Sequence, residues 1–265
     1  QYVPDSFDGR FVMDFVDVDS AKFESYADEG NAFMRWVNRR EGRLLGAFEA
    51  EIAARADASL LVSDAEAALF ESRTSARGVQ ALGNGIDTAY YDPQGHFKKL
   101  HPPFPDPLIL FTGQMDYRPN VEAVADFAEK AMPLIRARYP EATFAIVGRN
   151  PTQGVSDLSM LPGVQVTGAV DDVRTWLGAA DVVVAPLRIA RGIQNKVLEA
   201  MAMAKPVVAS SAAAEGISAE HGQHLFVESN VRAEAERVCA LLADPMHALA
   251  VGKAARDHVL THYGW

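Results

Sequence analysis

Five short runs in the second half of the chain constrain its fold more than any other feature: "LILFTG" (108–113), "FAIVG" (144–148), "VQVTG" (164–168), "VVVAP" (182–186) and "PVVAS" (206–210). Most are continuously apolar, the pattern of strands buried on both faces, and helical stretches separate most of them. Strands of that kind, alternating with helices, form parallel sheets through right-handed crossovers. The spacing predicts a doubly wound parallel α/β domain over 108–265. Its longest helix is expected from about Asn120 to Arg138, with Pro119 where a first helical turn tolerates proline.

The first half alternates strand and helix less regularly. "RFVMDFVDVDS" (10–20) reads as a strand running into a helix start. Leu44, Leu45, Phe48 and Ile52 recur at helical spacing, with Glu49, Glu51 and Arg55 on the remaining faces, which predicts an amphipathic helix from Glu41 to Asp57. "ASLLVSDAEAALF" follows as strand, Ser63 or Asp64 cap, and helix, and "GVQALGNGID" as strand and turn. About three strands make a small annex or half a domain. Residues 91–107 hold five of the 14 prolines without periodicity and read as a linker, giving a partial domain over 1–90.

At 265 residues with 49% apolar composition the chain can bury a substantial core. Its net charge of −10 argues against a nucleic-acid partner held by bulk phosphate attraction. A single cysteine, Cys239, excludes an intrachain disulfide framework and makes a reducing compartment the default. No apolar run approaches the roughly 20 residues of a membrane span.

In doubly wound sheets, ligands bind beyond the carboxyl ends of strands, where helix N-termini offer N–H groups and positive dipole to phosphate. The richest such turn is "PLRIARGIQN", which leads into a helix carrying Lys196 and Glu199. Gly192 would admit a pyrophosphate close to backbone, Lys196 would supply a point charge, and Glu199 on the same helix face would accept the two vicinal ribose hydroxyls. The same spacing also fits an ordinary exposed ion pair. In "GQMDYRPN", Gly113 ends a strand and Arg118 opens a helix, as a second phosphate ligand or a solvated helix-start residue. "GAVDDV" offers Asp171 or Asp172 as a helix cap, with backbone near Val170 placed for a base edge.

Other signals fail. "GNGIDT" has Thr88 where a dinucleotide fingerprint needs its third glycine. No phosphate-binding G-x-x-x-x-G-K-[ST] loop and no G-x-S-x-G elbow occurs. "EHGQH" (220–224) lacks further clustered ligands for a metal. Arg35, Arg39, Arg40 and Arg43 beside Met34 and Trp36 read first as a solvated helix face and second as a contact for anionic lipid headgroups.

"GIQNKVLEAMAMAKPVVAS" resembles the donor-site segment of family 4 glycosyltransferases, retaining enzymes of the GT-B fold with two facing Rossmann-like domains. "NGID" (84–87), "LILFTGQMDYRPNVEAV", "FAIVGRNP" and "VQVTGAVDDV" resemble the family's domain handover and its donor-domain strands in order. The segment is similar to that of bacterial sugar transferases associated with exopolysaccharide and exosortase loci. The resemblance implies a Rossmann-like donor domain and an incomplete Rossmann-like acceptor domain, the chain being a piece of something longer. It implies a nucleotide diphosphate sugar as donor substrate, no metal or other cofactor, and a carbohydrate or lipid-linked acceptor. The expected setting is cytoplasmic, peripheral at the inner face of the plasma membrane. Donor-site residues by this reading are Gly113, Arg118, Val170, Asp171, Arg191, Gly192, Ile193, Gln194, Asn195, Lys196 and Glu199, with no catalytic base named. The family's second glutamate, eight positions before the ribose glutamate, is here Arg191, so the contact to the sugar must differ. The rivals are a sugar-nucleotide epimerase of the same fold and a non-catalytic nucleotide-binding module. The isolated piece is expected to bind nucleotide and to transfer poorly.

Overall fold

The computed structural model describes residues 3–4, 7–28, 31–100, 107–190 and 192–264. It divides into two compact units, Gln1–Asn84 with Arg191–Ile193, and Gly85–Ala190 with Gln194–Trp265.

The first unit is a three-stranded parallel sheet in the order β1 (Val12–Val16), β2 (Ala58–Leu61), β3 (Val79–Ala81). Its helices are α1 (Asp19–Tyr26), α2 (Ala32–Arg55) and α3 (Asp64–Arg73). Val18, Ala21, Ala53, Leu61 and Phe70 form its core, and Phe15 packs on Phe70 with ring centroids 4.6 Å apart. Ser63 caps α3, accepting from the Glu66 N–H, so the hydroxyl rather than Asp64 starts that helix.

Helix α2 departs from its expected bounds and orientation. It starts nine residues before Glu41, where the Asn31 side chain accepts from the Met34 N–H and caps it. Leu44 and Phe48 face solvent at 46% and 48% exposure, while Glu49 is buried. The cause lies at the start of α1, whose first N–H groups have no partners within the helix. Glu49 accepts from the Ser20 N–H at 2.9 Å and the Ser20 hydroxyl at 2.6 Å, and Glu66 accepts from the Val18 N–H at 2.8 Å. Two carboxylates at a helix N-terminus satisfy orphan donors and complement the dipole. Glu49→Ala should therefore lower unfolding free energy by about 1.5–3 kcal/mol, the usual cost of losing a hydrogen bond to a charged group. Urea titration with an unchanged slope checks it.

The second unit holds a six-stranded, all-parallel sheet in the order β6-β5-β4-β7-β8-β9. The strands are β4 (Leu108–Thr112), β5 (Thr143–Val147), β6 (Val164–Gly168), β7 (Val182–Ala185), β8 (Val207–Ser210) and β9 (Phe226–Glu228). The first five match the apolar runs, and β9 is an edge strand the sequence reading did not single out. Every residue of β4, β5, β7 and β8 is buried, which is why they carry no polar alternation. Strand order reverses at β4, between β5 and β7.

The helix expected from Asn120 to Arg138 runs from Arg118 as α4 (Arg118–Asp126), widens to a π-turn over Phe127–Ala131, and continues as α5 (Met132–Arg136). Pro133 lacks an N–H and its ring would clash with the carbonyl four residues back, and a π-turn relieves that conflict. The remaining helices are α6 (Gln153–Asp157), α7 (Val173–Ala179), α8 (Asn195–Ala202), α9 (Ser211–Ala214), α10 (Val231–Ala243) and α11 (Pro245–His262).

The stretch read as a linker behaves otherwise over its described part. Residues 91–100 belong to the second unit, whose boundary falls at Gly85. Residues 101–106 lie outside the described residues. The Lys-Pro that ends α8 is structural: Ala204 turns the chain at φ 54°, and the Lys205 amine donates to the Gly178 and Ala180 carbonyls at 2.9 Å each, satisfying the end of α7.

Candidate donor site

Beyond the carboxyl ends of β4, β5 and β6 lies a cavity of about 430 Å³ within the second unit. Thr112, Gly113, Val147, Gly148, Arg149, Ala169, Val170 and Val173 line it from the strand ends and the start of α7, Lys196 and Glu199 from α8, and Tyr91 from the segment before β4. Two glycines shape its floor. A Cβ on Gly148 would sit 1.6 Å from the Gly113 carbonyl oxygen, so the two strand ends meet backbone to backbone. A Cβ on Gly113 would come within 2.8 Å of the Asn120 amide nitrogen and 3.2 Å of the Lys196 amine.

The Lys196 amine donates to Asn120 Oδ1 and stands 4.5 Å above the centre of the Phe111 ring. Asn120, buried at the first turn of α4, is itself fixed by donating to the Gln114 carbonyl at 2.9 Å. Burial lowers the Lys196 pKa to about 8, and the Glu199 carboxylate only partly opposes this. The exposed ion pair that spacing alone allowed is not formed, since Lys196 and Glu199 are half-buried and Lys196 is directed to Asn120. Burial raises the Glu199 pKa, while the neighbouring Tyr91 side chain and the Lys196 charge act the other way. Thr112 Oγ1 is buried and without a hydrogen-bond partner.

Of the expected site residues, Gly113, Val170, Lys196 and Glu199 line this cavity. Arg118 does not: it pairs with Glu122 one turn on, at 2.6 Å, the solvated alternative. Asp171 is not among the lining residues, and the α7 cap falls to Asp172, which accepts from the Arg174 N–H at 2.9 Å. Gln194 and Asn195 form the N-cap and first turn of α8, outside the cavity lining. Arg191 lies outside the described residues. Gly192 and Ile193 group with the first unit. At Gly192 (φ 64°) a Cβ would meet Asp17 Oδ1 at 2.0 Å and Val62 at 2.8 Å, so its missing side chain makes room for protein. Sequence reasoning passed over Arg149, Asn120 and Tyr91. Arg149 stood in a turn already marked by its strand end, whereas Tyr91 was hidden in a proline-rich stretch.

The cavity, with its glycines, Lys196 and Glu199, lies beside the strand-order reversal, the place where open α/β sheets bind ligands. The family model described as "Glycosyl transferases group 1" matches residues 106–244. The chain belongs to this family. The group 1 glycosyltransferases similar to it include phosphatidyl-myo-inositol mannosyltransferase of Propionibacterium freudenreichii subsp. shermanii, 31% identical over 72% of this chain and 46% of that protein. They also include GDP-mannose-dependent alpha-(1-6)-phosphatidylinositol monomannoside mannosyltransferase of Mycolicibacterium smegmatis, 27% identical over 77% of this chain and 60% of that protein. The chain spans about half the length of the curated relatives it matches. Sucrose-phosphate synthase of Thermosynechococcus elongatus superposes with a TM-score of 0.75 at 19% identity, covering 98% of this chain and 65% of that one. Anabaena HepE, solved with UDP and glucose, gives 0.68 at 17%, covering 96% and 68%. These neighbours are GT-B glycosyltransferases, and at such identities they show the fold.

Proposed function

We propose that the second unit holds a nucleoside diphosphate sugar in the cavity at β4–β6, and that the protein transfers the sugar to a hydroxyl of a carbohydrate or lipid-linked acceptor with retained anomeric configuration. One observation carries the reading: Lys196 and Glu199, one turn apart on α8, line the same cavity as the Gly113–Gly148 contact. Glu199 holds the ribose hydroxyls. Lys196 and Arg149 face the diphosphate, whose charge grows as the glycosidic bond breaks, and preorganised positive charge there lowers the barrier. The backbone at Ala169 and Val170 borders the base. The buried, unpartnered Thr112 hydroxyl gives a ligand oxygen a donor. In this reading the charge stabilisation comes from side chains and no metal takes part, so activity survives a chelator.

GDP-mannose, named for several relatives, is the first donor to test, and UDP-glucose the second. The donor is incubated with the chain and a phosphatidylinositol or glycan acceptor and followed through its anomeric proton. Glycoside or free sugar of retained configuration supports the transferase; inverted product or an isomerised donor contradicts it, the latter favouring an epimerase. The setting is cell-surface polysaccharide or glycolipid synthesis at the inner face of the plasma membrane.

Membrane contact is assigned to α2. Phe33, Trp36, Leu44 and Phe48 are 69%, 61%, 46% and 48% exposed. Arg39, Arg40 and Arg43 lie beside them in a chain of net charge −10. Among the described residues no single helix is long and apolar enough to cross a membrane. A basic, aromatic helix face suits the surface of an anionic bilayer. Sedimentation with phosphatidylglycerol vesicles should pull down the chain, and Trp36→Ser with Arg39→Ser should release it; equal binding to neutral vesicles would contradict the charge argument.

A further inference from the structure

We propose that His221 and His224, in the loop between α9 and β9, form a proton-operated latch with His258 and His262 of α11: uncharged rings hold the loop closed, and proton uptake releases it. None of these residues lines the donor cavity.

In the sequence, "EHGQH" stands without further clustered ligands, and the fold brings α11 to it. The His258 ring stacks on His224 with centroids 4.3 Å apart and lies 4.5 Å from His262, one turn on along α11. The rings stack rather than converge: among the described residues no group of three histidine, cysteine or carboxylate side chains could hold a metal ion. Two backbone donors end on imidazoles. The Glu220 N–H donates to His224 Nδ1 at 3.1 Å, and the Val227 N–H, in edge strand β9, donates to His221 Nδ1 at 3.0 Å. The His221 ring also packs edge-on against Phe226 at 5.8 Å. At its start the loop is pinned by the Ser218 N–H, which donates to the Tyr263 hydroxyl at 2.8 Å, and at its end by buried Leu225 and Phe226. Between these ends the chain turns at Gly222, with φ at 82°.

A neutral imidazole accepts at one ring nitrogen and donates from the other, whereas an imidazolium donates from both. A backbone N–H only donates, so Nδ1 of His221 and Nδ1 of His224 carry no proton in the closed loop. A proton on either nitrogen displaces the amide it holds. His258 adds a second obstacle, because its Nε2 is buried without a hydrogen-bond partner and a charge there is met by two further imidazoles. Burial, then His224 and His262, lower the His258 pKa, and the Glu220 carboxylate acts the other way. The titratable groups around His258 are Glu220 and His224 from the loop and His262 and Tyr263 from its own end of the chain, with Asp257 lining the same open cavity of about 650 Å³. The closed loop thus binds fewer protons than the open one. Closure is therefore complete above the range in which a free imidazole titrates, roughly pH 6.5, and weakens as pH falls through it.

The test is hydrogen exchange of the 265-residue chain at about pH 7.5, 6.5 and 5.5, spanning imidazole titration, with each rate divided by that of an unstructured peptide at the same pH. The Glu220 and Val227 amides should lose protection by about tenfold per pH unit over the lower step, the effect of one proton bound on opening. Amides of β4 and β5 should keep theirs. His258→Phe leaves an aromatic ring in the stack that takes no proton, so the acid loss at Glu220 should shrink. His224→Phe removes the acceptor, so the Glu220 amide should exchange fast at every pH. If a variant fails to fold, ring-proton NMR of the wild type decides: His221 and His224 should titrate over the pH range in which the two amides lose protection. Amides that stay protected while the rings titrate, a loss shared equally by β4 and β5, or an undiminished acid loss in folded His258→Phe would each overturn the latch.

Discussion

Gly148→Ala should destabilise the second unit by about 3 kcal/mol or more and abolish nucleotide binding in whatever remains folded. The added Cβ would lie 1.6 Å from the Gly113 carbonyl oxygen and 2.7 Å from its carbon, and both are backbone atoms that no rotamer change can remove. Relief requires β4 and β5 to part at their carboxyl ends. There the Gly113 N–H donates to the Val147 carbonyl at 3.0 Å and the Gly148 N–H to the Gly168 carbonyl at 3.1 Å. Those bonds hold the cavity floor, so stability and binding fall together. Gly154→Ala is the control, because a Cβ there meets nothing within 4 Å and lies in α6, where alanine is the better helix former. Thermal melts and nucleotide titration of both variants check the contrast. An unshifted melt and intact binding in Gly148→Ala would mean that the close approach does not shape the site.

Lys196→Met should weaken nucleoside diphosphate binding roughly ten- to a hundredfold, matching about 1.5–3 kcal/mol for a charged hydrogen-bonding partner, and should also erase a pH dependence. Burial holds the Lys196 pKa at about 8 by disfavouring its charged form. A diphosphate favours that form and raises the pKa, so binding above pH 8 must take up a proton. The affinity of the wild type is therefore flat below that value and falls as pH rises through it, while Lys196→Met shows low affinity without the fall. Titration in buffers of different ionisation enthalpy reads the proton uptake directly. A wild-type affinity independent of pH from 7 to 9 would place the diphosphate away from Lys196.

How much of this was legible depended on which force set each feature. The strands of the second unit were readable because burial on both faces leaves only apolar residues, as in β4 and β5. Lys196 and Glu199 were readable as a pair because helical spacing is local. What they do was not, since Asn120 meets Lys196 from 76 positions away and Tyr91 joins the lining of their cavity from a stretch without periodicity. Helix α2 misled because its exposed residues include Leu44 and Phe48, and its buried Glu49 answers the N-terminus of another helix. Arg118 was placed correctly on its helix, but its partner Glu122 lies four residues on, where an i,i+4 pair forms readily. The π-turn within 118–136 follows from Pro133, a signal that was present in the sequence and not used.

The most direct measurement of the central claim is calorimetric titration of the wild-type chain and Glu199→Ala with UDP, GDP and ADP. The account predicts that one nucleotide binds selectively and that a folded Glu199→Ala binds it roughly ten- to a hundredfold more weakly. Tight binding unaffected by the substitution would contradict it and move the donor site away from α8.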